Sequence, residues 1–119
     1  MHVPASTLTL RHHPAFHSES LADERDLTVF LPPGYHVATE RRYPVLYMHD
    51  GQNLFEGAKA FKKGEHWRVG ETATDLIDAG RIDPLIIVGI ANTGPRRVHE
   101  YTPTHDRRRG GARPTPTAA

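Results

Sequence analysis

The 119-residue chain contains no cysteine, which excludes disulfide bonds, thiolate nucleophiles and cysteine-ligated zinc sites. Long hydrophobic runs are also missing. The longest, Leu85 to Val88, is far shorter than the roughly 20 residues that a membrane span requires. No basic segment followed by an apolar one opens the chain, as a secretory signal would require. These absences predict a soluble, cytoplasmic protein without a membrane partner.

Apolar residues and serines are scarce as well. Apolar residues make up 37% of the chain, a low share for a complete α/β domain, and serine occurs only at Ser6, Ser18 and Ser20. The net charge is +1, but residues 105–119 hold four arginines and a single acid. We therefore divide the chain into residues 1–104, part of a folded domain, and residues 105–119, a basic, disordered tail rich in Pro, Gly and Thr.

The first half of the chain carries patterns typical of strands. Leu27 to Leu31 alternates like a half-buried strand and stops at two prolines and a glycine. Leu10 to Phe16 fits an edge strand interrupted by Pro14, and the polar segment from Ser18 to Asp26 is expected to be the turn between them. Together these segments predict the opening of a β-meander.

The middle of the chain predicts a strand–helix–strand unit. Pro44 to His49 and Leu85 to Ile90 are continuously apolar, as strands covered on both faces would be. Between them, Trp67 to Ala79 repeats apolar residues at helical spacing and ends before a glycine. Gly70 within this helix costs about 1 kcal/mol relative to alanine, so packing must hold the helix. Such a crossover implies parallel, right-handed strands and an α/β fold.

Polar loops follow both predicted parallel strands. One begins at His49 and continues through Asp50, Gly51, Gln52 and Asn53, while the other runs from Asn92 to Arg97. Ligands of open α/β sheets bind at the carboxyl ends of the strands, so these loops flank one crevice. We expect Gly51 to let the chain turn sharply and approach a substrate closely.

Four segments carry a family resemblance, namely YPVLYMHDGQNLF, WRVGET, LIIVGIANTG and RRVHEYTP. In this order they resemble the putative-esterase branch of the α/β-hydrolase superfamily, which includes esterase D, enterochelin esterase and the mycolyltransferases. The resemblance covers about Leu10 to Asp106 and only the N-terminal portion of the fold. It implies a partial α/β-hydrolase sheet, an N-terminal β-meander plus one βαβ crossover, whose three-layer architecture is incomplete.

The same resemblance implies a serine hydrolase of carboxylic esters, with a small-molecule ester as substrate and no cofactor. It places the loop after His49 where the fold supplies an oxyanion-hole donor, and assigns this role to the backbone N–H of Gln52. Other residues expected to contact the substrate lie in the loops and at the helix start. They are Asp50, Gly51, Asn53, Trp67 and Arg96.

The nucleophile of the family is missing from this chain. The G-x-S-x-G motif would follow the last residue that fits the family, and none of the three serines has that setting. The chain is therefore expected to be an inactive N-terminal fragment of an esterase. Because strands beside its sheet would also be missing, we expect a marginal fold that self-associates or depends on a complementing chain.

Each assigned residue also has a structural interpretation. Asp50 and Asn53 could simply cap the loop, Trp67 could belong to the core, and Arg96, with Arg97 and Glu100, could form a surface charge cluster. A further alternative concerns two histidines, His13 and His17, which share a strand face. They lack a paired carboxylate, so no metal site is assigned.

The tail supports a function of another class. Arginine with glycine can bind nucleic-acid phosphates, which would make the chain a non-catalytic interaction or nucleic-acid-associated protein. No aromatic residues are interleaved with the arginines, so this stays the alternative to the esterase fragment. The family pattern stops near Gly111, where low-complexity sequence begins. This change predicts a truncated or shifted reading frame, which the downstream nucleotide sequence would test.

Overall fold

The structure is a computed structural model, and it describes residues 8–20, 23–37, 40–56 and 64–103. The predicted tail, 105–119, lies outside these residues, so its disorder stays a prediction. The described elements are the strands β1 (Thr9–Ser18), β2 (Asp23–Leu31), β3 (Val45–His49) and β4 (Ile86–Ile90), with the helices α1 (Val69–Asp78) and α2 (Arg97–Tyr101).

The four strands form one mixed sheet in the order β1-β2-β4-β3. β1 pairs with β2, and β2 with β4, in antiparallel fashion. β3 and β4 are parallel, with Val45 opposite Ile86 and His49 opposite Ile90. Because α1 lies between these two strands in the chain, the predicted crossover is confirmed. The predicted partial α/β architecture is confirmed with it.

β1 is the expected edge strand, and an irregularity interrupts it. The pairing register shifts between His13 and Phe16, and Ala15 adopts a left-handed φ of 52°. Pro14 lies inside this irregularity, where the absence of an N–H costs no ladder hydrogen bond. The predicted turn from Ser18 to Asp26 is too long. β2 already begins at Asp23, where its backbone pairs with Ser18 of β1 and alternate side chains are half-buried.

The core forms between the sheet and α1. Phe30, Leu54, Phe55, Ala73 and Ile87 are its buried residues, and the Phe30 and Phe55 rings stack with centroids 6.3 Å apart. Residues of β2, β4, α1 and the loop after β3 therefore meet in one cluster. The loop that follows β3 is thus part of the folded body.

α1 starts two residues later than its pattern predicts. Arg68, at the N-cap, adopts a left-handed φ of 54°, so helical geometry begins only at Val69. The expected packing at Gly70 is present, because a Cβ on this buried residue would lie 2.5 Å from Leu8 Cδ1. Close packing thus accounts for a glycine inside the helix.

β3 contradicts the expectation that both of its faces are covered. Val45, Leu46 and Tyr47 are 43%, 45% and 67% exposed. β3 ends the sheet, and β4 is its one neighbour among the described strands. A continuous apolar run here marks an open edge strand with a bare face.

Within the described ranges, no helix is long and apolar enough to cross a membrane.

Candidate active site

The chain leaves β3 through a strained residue. Asp50 has a φ of 56° and a ψ of 44°, a left-handed conformation that is uncommon outside glycine and needs support from its surroundings. A 3₁₀ turn, Gly51–Asn53, follows at once, closed by a 2.9 Å hydrogen bond from the Asn53 N–H to the Asp50 carbonyl. The amides of Gly51 and Gln52, at the start of this turn, have no acceptor within it.

Gly51 serves close packing, and the sharp turn expected there falls on Asp50 instead. A Cβ on Gly51 would lie 2.6 Å from the carbonyl carbon of Gly89 in β4, and a Cβ on Gly89 would lie 3.2 Å from the Gly51 Cα. The first distance leaves no room for a side chain unless the backbone moves, and the second is tighter than an ordinary van der Waals contact. The loop therefore rests directly on the backbone of the neighbouring strand, while a substrate contact of Gly51 stays a prediction.

Further hydrogen bonds hold the loop on both sides. The Asn92 backbone N–H donates to Gln52 Oε1 at 3.1 Å, which ties the loop to the end of β4. The Trp67 N–H donates to the Asn53 carbonyl at 2.8 Å, which ties it to the segment before α1. Asn53 thus acts here through its backbone. Together these bonds fix the position of Gln52 before any substrate arrives.

The Asp50 carboxylate, 7% exposed as a residue, accepts three hydrogen bonds. Arg97 donates twice, from Nε to Oδ1 at 2.9 Å and from Nη2 to Oδ2 at 2.8 Å, and Asn92 Nδ2 donates to Oδ1 at 2.9 Å. Chiefly because of Arg97, the pKa of Asp50 falls to about 2 against the opposing effect of burial. Asp50 stands at the N-cap position but makes no capping side-chain bond, so capping is not what its carboxylate does.

Arg97 also lies over the Tyr101 ring, and Tyr101 lies against the end of β3. The Arg97 Cζ is 5.0 Å from the ring centroid, and the His49 and Tyr101 ring centroids are 5.1 Å apart. Burial raises the pKa of Tyr101, and the nearby Asp50 carboxylate raises it further. The short helix α2 is therefore packed onto the residue from which the loop departs.

Arg96 faces a second set of charges. Its Nη2 donates to Asp23 Oδ2 at 2.8 Å, and Arg25 Nη1 lies 3.0 Å from the same oxygen. Arg25 also pairs with Glu100. Arg96 is the main cause that holds the pKa of the Asp23 carboxyl well below its usual range. These contacts match the charge-cluster interpretation, and the substrate role of Arg96 stays a prediction.

Trp67, His13 and His17 are the remaining residues that the sequence analysis singled out. Trp67 is 56% exposed and precedes α1, so its assignment to the core is wrong, while its substrate role stays a prediction. His13 and His17 flank the β1 irregularity, which breaks the alternation that would place them on one face. Among the residues that the structure describes, no three His, Cys, Asp or Glu side chains are grouped closely enough to hold a metal ion.

The sequence interpretation missed two contributors to this site. Asn92 bonds both Gln52 and Asp50, and its position directly after β4 was a usable signal. Gly89 has no side chain and so leaves room for the loop at Gly51. A glycine inside an otherwise apolar strand is typical of a site where another backbone segment packs closely. The sequence also allowed Arg97 a place in a surface charge cluster, but it did not predict the pairing of Arg97 with Asp50.

Known proteins resemble this chain in sequence and in fold. The family model described as "Putative esterase" matches residues 18–116. A solved ferulic acid esterase is 28% identical over 71% of this chain and 30% of its own, with a TM-score of 0.52. An IroE-like serine hydrolase from Shewanella oneidensis is 28% identical over 92% of this chain and 30% of its own, with a TM-score of 0.59.

No curated protein matches the chain. The family match includes the loop after β3, the crossover and the segment that contains Arg97. The chain spans 30% of the length of both solved hydrolases. The order of its elements and the match to the family model agree, and the chain belongs to the "Putative esterase" family.

Proposed function

We propose that this chain supplies the oxyanion-loop part of a serine carboxylic-ester hydrolase, with the backbone N–H of Gln52 as the donor. One observation carries the proposal. The Gly51–Asn53 turn is fixed at the carboxyl end of the parallel pair β3 and β4, and the Gln52 amide has no acceptor within that turn. Fixed donors of this kind stabilise a developing oxyanion without reorganisation.

The proposed chemistry is acyl transfer on a small-molecule ester. A serine hydroxyl attacks the ester carbonyl carbon, and the carbonyl oxygen takes up negative charge, to which the Gln52 N–H donates. None of the serines of this chain lies in a G-x-S-x-G setting. The nucleophile, the base and the acid therefore come from outside these 119 residues, and the chain alone is inactive.

The exposed edge of β3 is where the complementing part would dock. Val45, Leu46 and Tyr47 expose apolar surface beside a strand edge with which none of the described strands pairs. An added strand would satisfy the edge N–H and C=O groups and cover this surface. The chain without such a strand should be marginally stable and self-associate.

A chimera tests the proposed donor. Residues 1–104 replace the matching part of the IroE-like hydrolase, and hydrolysis of p-nitrophenyl acetate is measured. In this chimera we expect Gln52→Pro to lower kcat by about 10²- to 10³-fold, because proline has no N–H. Proline's fixed φ suits a 3₁₀ turn, so the backbone path is kept.

Gln52→Ala is the matched control, since it keeps the N–H and removes the side chain. We expect this variant to retain most of the activity. Labelling with a fluorophosphonate probe verifies that the nucleophile of the chimera is intact in both variants. Full activity of the Gln52→Pro chimera would show that this N–H is not the donor.

The nucleic-acid alternative depends on the arginines of residues 105–119, which lie outside the described residues. It stays a prediction, and strong salt-dependent binding of the chain to nucleic acid would support it.

A further inference from the structure

A cavity of about 470 Å³ lies beside Gln52. Its walls come from the β1 irregularity, from the middle of β2 and from Ala91, directly after β4. Its volume is within the range of about 300–1,000 Å³ that is common for small-molecule sites. None of the sequence patterns pointed to this cavity.

The β1 irregularity shapes the cavity, and Asp26 fixes that shape. The Ala15 N–H donates to Asp26 Oδ1 at 2.8 Å, and the Ala91 N–H donates to the Asp26 carbonyl at 3.0 Å. Asp26 thereby connects β1 to the end of β4. Ala15 adopts a left-handed backbone conformation with a φ of 52°, and these hydrogen bonds stabilise that strained conformation.

The lining of the cavity indicates what it can bind. Pro14, Leu27 and Ala91 give it apolar walls, while His12, Asp26 and Thr28 add polar groups. Asp26 Oδ1 is used by Ala15, and none of the described residues donates to Asp26 Oδ2. The His12 ring contacts Thr28 Oγ1 at 3.3 Å, and its Nε2 lies 3.7 Å from a Glu56 carboxylate oxygen.

Charge excludes one class of ligand. Within the described part of the chain, no lysine or arginine lines the cavity, while the carboxylate of Asp26 does. An anion would meet a like charge without a compensating cation. A neutral hydroxyl group, in contrast, can donate to Asp26 and form a charge-assisted hydrogen bond.

We propose that this cavity binds an uncharged, apolar group that carries a hydroxyl, as one side of the ester whose carbonyl oxygen lies at Gln52. That this group belongs to an ester rests on the proposed function. The hydroxyl donates to Asp26, and the apolar body packs against Leu27 and Ala91. The cavity thereby selects among esters by the group beside the reacting carbonyl.

Ligand-observed saturation-transfer NMR on the full chain tests this selection, and the method also works when the chain self-associates. The probe is methyl 4-hydroxybenzoate, an uncharged ester with an apolar ring and one hydroxyl. Methyl benzoate, without the hydroxyl, should bind about tenfold more weakly, as the loss of a hydrogen bond to a charged group predicts. The 4-hydroxybenzoate anion should bind at least tenfold more weakly.

Variants locate the binding. Asp26→Asn should weaken the probe about tenfold, and Ala91→Leu, which fills the cavity, should abolish its binding. Asp83→Asn makes the same charge change at an exposed position away from the cavity and should leave binding unchanged. Circular dichroism verifies the fold of each variant, and Ala91→Leu decides the question if Asp26→Asn does not fold.

Equal binding of the two methyl esters, or full binding by folded Ala91→Leu, would overturn the proposal. The measurement needs no turnover, so it is independent of the chimera experiment. An active chimera with no probe binding would refute the cavity alone, and probe binding with an unaffected Gln52→Pro chimera would refute the donor alone.

Discussion

Asparagine in place of Asp50 removes the charge that joins the oxyanion loop to α2. The substitution keeps the shape of the side chain, and asparagine tolerates the left-handed backbone at this position as well as aspartate does. The Arg97 and Asn92 donors remain in place. The Asp50→Asn variant therefore removes the charge and one acceptor oxygen while the side chain keeps its volume, because the amide Nδ2 would face a donor of Arg97 or Asn92.

The pKa of Asp50 gives the magnitude. A fall from 3.8 to about 2 corresponds to at most about 2.5 kcal/mol of stability. The Arg97 side chain is 45% exposed, so solvent screens the pair, and about 1 kcal/mol is expected. Because the pKa is lower in the folded state, this contribution is complete above the unfolded-state pKa. It is lost as the pH falls from about 4 towards 2.

Urea unfolding followed by circular dichroism measures this difference between pH 7 and pH 2.5. We expect the free energy of unfolding of the wild type to exceed that of Asp50→Asn by about 1 kcal/mol at pH 7. This gap should become smaller as the pH falls to 2.5. Asp23, whose pKa is also lowered, is present in both proteins and cancels. Asp83→Asn is the control, with no such gap expected. A gap independent of pH would refute the electrostatic explanation.

Three further predictions concern packing, association and chemistry. Gly51→Ala should cost about 2–3 kcal/mol in urea unfolding, because its Cβ meets the backbone of Gly89, whereas Gly70→Ala should cost less, because the side chain it meets can move. Tyr47→Lys on the β3 edge should reduce self-association in analytical ultracentrifugation, whereas Thr72→Lys, at an exposed position of α1, should not. If the two variants associate equally, the β3 edge is not the surface through which the chain associates. The chain alone should neither hydrolyse p-nitrophenyl acetate above a histidine-matched background nor take a fluorophosphonate label, and stoichiometric labelling of a serine would contradict this.

The crossover was predictable because local patterns define it. Apolar runs bounded by proline and glycine predicted β3 and β4, and helical spacing predicted α1. The exposure of β3 was not predictable in this way. A covered strand and an edge strand that awaits a neighbour carry the same apolar run, and only the sheet order distinguishes them.

The candidate site was predictable only in part, for a reason of distance along the chain. The polar loop after β3 was evident from its own residues. Asp50 and Arg97, however, are 47 positions apart, and no periodicity connects them. The cavity beside Gln52 depends on a register shift in β1, which Pro14 hinted at but only the pairing with β2 defines.

The contact between Gly51 and Gly89 limits how this region can be redesigned. A Cβ on Gly51 would lie 2.6 Å from the Gly89 carbonyl carbon, so Gly51 accepts a side chain only if the Gly89 backbone moves. A Cβ on Gly89 would lie 2.9 Å from Leu54 Cδ1 and 3.2 Å from the Gly51 Cα, so a side chain there crowds the same loop. A loop transplanted from another hydrolase therefore has to arrive with its own β4 partner. In sequence libraries, the two positions should be varied jointly or held as glycine together.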